Sequence, residues 1–218
     1  IIVDGSEGGT GAGPVEFEDN VGMPLTEALM FVHNALVGSG IRDNIKIGVS
    51  GKVASGIDIV KRICQGADFT MAARAMMFAI GCIQAQSCHT NTCPVGVATQ
   101  DPWRARALVV EDKMYRVQNF QAMTISSAKQ IVASMGLESF DQLNPRKLFR
   151  RIDPHVTKTY ADLYEWLKPR QLLVAPPAGW SRDWDLANAQ SFAPVHLDER
   201  PSVEPVRGAQ PSAKASLM

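Results

Sequence analysis

The sequence has no excess of either charge. Lysine plus arginine and aspartate plus glutamate number 22 each in 218 residues, so no net field draws the chain to nucleic acid or to an anionic membrane surface. No apolar run nears the ~20 residues of a membrane span. There is no Walker phosphate motif, no C-x2-C zinc knuckle and no internal repeat beyond a strand–loop–helix rhythm. The chain opens on Ile1-Ile2-Val3 with no initiator methionine and no signal-like segment, an entry directly onto a buried strand, and continuation upstream is expected. The 45% hydrophobic content is ordinary for a soluble globular protein of one large or two small domains.

Cysteine is scarce but concentrated. Of four in the chain, Cys82, Cys88 and Cys93 fall within twelve residues in the spacing C-x5-C-x4-C, and Pro94 stiffens the loop beside the last. Thiolates bind iron–sulfur clusters and zinc. Zinc normally asks for four ligands, and His89, directly beside Cys88, is poorly placed to be the fourth. A disulfide leaves one odd thiol in a chain that nothing marks as secreted. Iron–sulfur, zinc and buried structural thiols therefore stay open, with three thiolates suiting a cuboidal cluster that lacks one iron corner. The same usage points to a reducing, cytoplasmic setting, with a membrane anchor upstream left open. Cys64, on a predicted helix, reads as a small buried hydrophobe.

Around this loop the pattern is strand, glycine loop, helix, three times over. Ile1 to Val3 runs into five glycines within residues 5–14, a bare backbone that lets amide groups approach a ligand. Glu7, the charge amid them, reads as a substrate or flavin contact or as a solvated turn carboxylate. Pro24 to Val37 has apolar residues at helical steps and stops at Gly38-Ser39-Gly40; His33 within it reads as packed or solvated. Ile45 to Ser50 is a second strand, followed by Gly51-Lys52 and a helix capped by Ser55. The N-terminus of that helix is expected to offer free N–H groups to a phosphate, with Lys52 adding charge. Phe69 to Ala72 is a third strand, after which Ala73 and Arg74 lead into an apolar helix that delivers Cys82. Arg74 reads as a phosphate clamp or a surface ion pair. Parallel strands with ligand groups after each one match the C-terminal face of a (β/α)8 barrel.

Glu7-Gly8-Gly9-Thr10-Gly11-Ala12, the Gly51 loop and the segment from Gly81 to Gln100 together closely resemble the FMN-binding domain of glutamate synthases, over roughly residues 1–101. The resemblance implies the C-terminal portion of a (β/α)8 TIM barrel, about three strand–helix units. It implies FMN near Gly8, Gly9, Thr10, Gly11, Ser50, Gly51, Lys52, Ala73 and Arg74, and a [3Fe-4S] cluster on Cys82, Cys88 and Cys93. Reductive amination of 2-oxoglutarate with ammonia, free or derived from glutamine, is the implied activity, with ferredoxin or a reductase subunit as electron donor. The strands that carry the family's 2-oxoglutarate-binding lysine and the glutaminase domain have no counterpart here. Ser50 stands where the large bacterial enzymes usually have an acidic residue, which brings the chain nearer to short, stand-alone relatives.

Beyond Gln100 the pattern turns helical. Trp103 to Val110, Tyr115 to Met135, Ser139 to Leu148 and Tyr160 to Leu167 read as helices of an appendage over residues 102–192, with Gly136 a stop signal. Trp166, Trp180 and Trp184 read as packing it onto the barrel. Residues 193–218, rich in proline and small polar residues, are expected to be disordered. Two other functions remain in view. One is a non-catalytic fragment or electron-transfer module that keeps the cluster loop without an active site; the other is an FMN/iron–sulfur reductase with another substrate. Flavin content and turnover with 2-oxoglutarate separate the three.

Overall fold

The computed structural model describes residues 1–7 and 13–190, so the tail expected from residue 193 lies outside the described residues. Three short strands, β1 (Ile2–Asp4), β2 (Gly48–Ser50) and β3 (Phe69–Met71), form a parallel sheet in the order β1-β2-β3. Val3 pairs with Val49 and Val49 with Thr70, which leaves Asp4, Ser50 and Met71 level at the C-terminal edge. α1 (Val15–Asn20) and α2 (Leu25–Gly38) follow β1, α3 (Gly56–Cys64) follows β2, and α4 (Arg74–Ala79) follows β3. β2 is shorter than the apolar run of 45–50 predicts. The Asp68 carboxylate takes the Ile47 N–H at 2.7 Å, so the ladder starts only at Gly48, whose N–H donates to the Ile1 carbonyl at 2.9 Å.

Side chains alternate across a strand. Val3 and Val49 turn to one face and are buried with Leu25, Leu29, Leu36, Ile47 and Ala67. The other face carries Ile2, Phe69 and Met71, each about half exposed, and Gly48 between the first two is where a Cβ would strike both side chains.

α5 (Pro102–Ala105) and α6 (Val110–Ser134) come next. The predicted helix over 103–110 is interrupted: Asp101 caps α5 through the Trp103 N–H at 2.9 Å, and a new helix begins at Val110. α6 lies against α3, burying Val60, Cys64, Ala128, Val132 and Leu143 in a second core, worth roughly 1.5–3 kcal/mol per large aliphatic side chain. Gly56 permits the approach, since a Cβ there would meet the Ala128 backbone. Burial pushes the Cys64 thiol up to about 11, so it is the inert hydrophobe expected.

The helix expected over 139–148 is instead two tight turns, Phe140–Gln142 and Pro145–Lys147, broken where Asn144 precedes a proline. A hairpin that the helical pattern did not show follows, β4 (Phe149–Arg151) antiparallel to β5 (Thr157–Thr159), closed by Asp153 accepting the N–H groups of His155 and Val156. α7 (Tyr160–Leu163) and α8 (Gln171–Val174) complete a compact unit that runs from Ile1 to Ala175. Asn34, buried on α2, ties residues 165–167 to the body, donating to the Glu165 carbonyl and accepting the Leu167 N–H, both at 2.9 Å. A second unit begins at Pro176 and carries α9 (Ala178–Leu186), where Trp180 and Trp184 lie. No helix among the described residues is long and apolar enough to cross a membrane.

His33 on α2 meets Trp166 edge to face at 5.7 Å and accepts the Arg42 Nε–H at 3.3 Å. Burial, then the Arg42 charge, hold its imidazole below the ordinary value. The unfolded chain therefore binds this proton more tightly. Stability from His33 is fully present above about pH 6.5 and is lost as pH falls through the depressed folded value. Chemical denaturation between pH 7.5 and 5 should show a steeper loss for the parent than for His33→Phe, which keeps the ring contact but does not titrate. Parallel curves would remove His33 from the pH dependence.

Candidate functional site

The level strand ends create the site. After Ser50 the backbone turns sharply through Gly51 at φ +145° and Lys52 at φ +48°. Both values lie in the region that costs a side chain strain. After β3, Ala73 leads into α4, whose first residue is Arg74. These turns face one another across a cavity of ≈ 650 Å³ lined by Ser50, Gly51, Lys52, Ala73 and Arg74. Met71, Phe78, Gln84 and Phe120 complete its wall. Two cations, bare backbone, and apolar and aromatic side chains around one cavity suit a planar ligand that carries an anionic group.

Two carboxylates beside this region serve helix ends. Ahead of α3 the Asp58 carboxylate accepts the N–H groups of Ala54 and Ser55 at 3.2 and 3.0 Å and the Ser55 hydroxyl at 2.7 Å. Glu7, its side chain 25% exposed, reaches back to α2. Its two oxygens accept the Leu25 N–H at 3.0 and 2.9 Å, capping α2, and the Arg62 guanidinium lies 3.8 Å away. Gly8, Gly9, Thr10 and Gly11 lie outside the described residues.

The cysteine loop grows directly from the cavity wall. α4 ends at Ala79, and the next turn is closed by Gly81 N–H to the Phe78 carbonyl at 3.0 Å and Cys82 N–H to the Met77 carbonyl at 2.9 Å, with Gly81 at φ +104°. This paired closure fixes where Cys82 leaves the helix. Gln84, Gln86 and Asn91 all adopt positive φ, an accumulation of strained backbone of the kind found where a loop holds a ligand. Asn91 then clamps the far end, its side-chain oxygen accepting the Gln100 N–H at 2.6 Å and the Thr99 hydroxyl at 3.0 Å. Cys82 and Cys88 are half-buried and Cys93 is buried; all three are free thiols. Burial alone would push the Cys93 thiol up, but the N–H groups of Ala98, Val95, Val97 and Gly96 outweigh it and hold the thiol below its ordinary value.

Among the described residues no three His, Cys, Asp or Glu side chains converge to hold a single metal ion. A cluster makes a different demand, because each thiolate binds its own iron around a cuboid. The donor set fits that demand: three thiols on one clamped loop, with a fan of N–H groups on Cys93 that favours its anionic form.

Some cavity residues had no local sequence signal. Phe120 arrives on α6 from 68 positions beyond Lys52, and only the packing of α6 places it. Asp58 was findable, since Ser55 followed three residues later by an acid is a capping signature.

Residues 1–138 match the family model described as a conserved region in glutamate synthase. A glutamate synthase large subunit-like protein of Bacillus subtilis is 46% identical over 139 residues, 64% of this chain and 26% of its own length. An archaeal glutamate synthase (NADPH) of Archaeoglobus fulgidus is 37% identical over 143 residues, 66% of this chain and 28% of its own. A ferredoxin-dependent glutamate synthase of Pyropia yezoensis is 36% identical over 162 residues, 73% of this chain and 10% of its own. The chain thus spans about a quarter of the first two relatives and a tenth of the third.

Gly51 is the tightest point of the cavity rim: a Cβ there would stand 3.0 Å from Leu25 Cδ2 and 3.1 Å from Glu7 Oε2. Gly51→Ala should cost about 1–3 kcal/mol of stability from backbone strain. A denaturant midpoint equal to that of the parent would show that the turn relaxes freely.

Proposed function

The chain belongs to the glutamate synthase family, and on that premise we propose that it forms the last three strand–helix units of an FMN-binding (β/α)8 barrel. The whole protein would reductively aminate 2-oxoglutarate to glutamate, with ammonia as nitrogen source and ferredoxin or a reductase subunit as electron donor, in the cytoplasm. The observation that carries this reading is the shared cavity. Ser50, Gly51, Lys52, Ala73 and Arg74 line it together, and its wall α4 runs straight into the cysteine loop.

Bound FMN would supply hydride transfer and the [3Fe-4S] cluster single-electron relay. The residues of this chain have separable tasks. Lys52 and Arg74 offer charge to the FMN phosphate, and Gly51 lets the backbone turn sharply at the rim over Leu25 and Glu7. Met71, Phe78 and Phe120 keep water from the apolar side of the cavity. Cys82, Cys88 and Cys93 would hold the cluster. α4 is six residues long, roughly 9 Å at helical rise, and its closing turn ties the Cys82 N–H back to the Met77 carbonyl, so one short helix sets the separation of the two cofactor sites. The apolar face of Ile2, Phe69 and Met71 supports the partial barrel, because such a face is normally filled by side chains of the remaining strands. A reductase with another substrate is the second reading, favoured by Ser50 on the cavity wall.

The test is flavin binding by the protein carrying its complete barrel. Arg74→Ala should weaken FMN binding about ten- to a hundredfold, the equivalent of the ~1.5–3 kcal/mol of a charged hydrogen bond. Arg151→Ala, exposed on β4, should not. Equal affinity of the Arg74 variant and the parent would take Arg74 out of the site, and a complete barrel without FMN would overturn the reading.

A further inference from the structure

Glu7 does work that the shared cavity needs, although it does not line that cavity. We propose that Glu7 is a positioning residue that holds the Gly51–Lys52 turn in its ligand-binding shape; this rests on the flavin-site reading above.

The geometry is specific. The Gly5 N–H donates to the Ser50 carbonyl at 2.8 Å, which stitches the ends of β1 and β2 together immediately before both chains turn. The Glu7 side chain then folds back into space that two glycines leave empty. A Cβ on Gly5 would collide with Glu7 Oε2, and one on Gly51 would stand 3.1 Å from the same oxygen. The carboxylate is thus packed behind the turn whose strained backbone forms the cavity rim. Its oxygens are fixed from the opposite side by the Leu25 N–H.

The carboxylate, on a side chain 25% exposed, faces a counter-charge in Arg62. The Arg62 side chain is 8% exposed, with Nη2 3.8 Å from Glu7 Oε1. Its Nη1 donates to the Thr26 hydroxyl oxygen at 2.8 Å and to Gln65 Oε1 at 3.0 Å. One network therefore spans α3, the first turn of α2 and the turn after β1, where Glu7 packs against Gly51. Pairs withdrawn from water seldom stabilise a fold over an apolar replacement, and their attested use is to select one geometry. Here the selected geometry is a turn at φ +145° and +48°, which persists only where its surroundings over-determine it. A carboxamide at position 7 would keep the shape but lose the charge that faces Arg62, and with its oxygen toward Arg62 its NH2 would stand against the Leu25 N–H.

The experiment uses the full-length protein with FMN as the probe, and reads FMN affinity by flavin fluorescence together with the melting temperature of the flavin-free form. Glu7→Gln should lose roughly tenfold or more in FMN affinity at a temperature where it is folded. Asp68→Ala is the control: it removes the oxygen that accepts both Arg42 at 2.8 Å and the Ile47 N–H at 2.7 Å before β2 and β3 begin. That control should lower the melting temperature while FMN affinity stays at the parent value, which separates positioning from general destabilisation. Should Glu7→Gln fail to fold, Arg62→Lys keeps the charge but loses the fork to Thr26 and Gln65, and should lower affinity in the same way. A parent that binds FMN while the folded variant binds it equally well overturns the role of Glu7 alone, as does an equal loss in the Asp68 control. A parent that binds no FMN overturns the flavin reading and this inference with it.

Discussion

The parallel register of three short strands is the constraint on which the rest of this structure depends. With Asp4, Ser50 and Met71 level, the chain must turn three times at one edge of the sheet, and each turn brings backbone and side chains to the same place. Residues that are far apart in sequence, such as Gly51 and Arg74, become walls of one cavity for this reason. A slip of one residue in either pairing would send Val3 or Val49 out of the core and Ile2 or Phe69 into it. The buried set of Val3, Val49, Leu29 and Ile47 therefore holds the site in place while taking no part in it.

Polar side chains do the local shaping. Asp58 and Glu7 each accept main-chain N–H groups at a helix N-terminus, Ala54 and Ser55 ahead of α3 and Leu25 at the start of α2. The positive charge on the cavity wall comes from Lys52 and Arg74. Before the strands begin, Asp68 gathers Arg42, Lys46 and the Ile47 N–H, and despite its partial burial these partners hold its carboxyl below the usual carboxylate range. That cluster keeps β2 and β3 aligned without touching the cavity.

The alternation of strand, glycine loop and helix was legible because short apolar runs and glycines mark it locally, and so were the cap at Ser55 and the stop at Gly136. That the residues after β2 and β3 line one cavity was legible for the same reason, since position after a strand says which edge they share. The capping of α2 by Glu7 was missed because a lone acid among glycines gives no sign of the helix it caps, and only the return of Leu25 beside it shows it. The β4–β5 hairpin was missed because Phe149 to Arg151 lacks a clear period, and its pairing with Thr157 to Thr159 depends on a turn made by Asp153. Phe120 could not be placed from sequence at all, since α6 reaches the cavity only through its packing on α3.

The cysteine loop is the most specific feature of the chain, and its content is the most direct test of the proposed chemistry. The decisive measurement is iron, zinc and acid-labile sulfide in the protein prepared anaerobically with its complete barrel, beside its Cys88→Ser variant. The expected result is about three irons per chain with matching sulfide, lost in the variant. Stoichiometric zinc without sulfide, or full iron in Cys88→Ser, would contradict the assignment of Cys82, Cys88 and Cys93 to an iron–sulfur cluster.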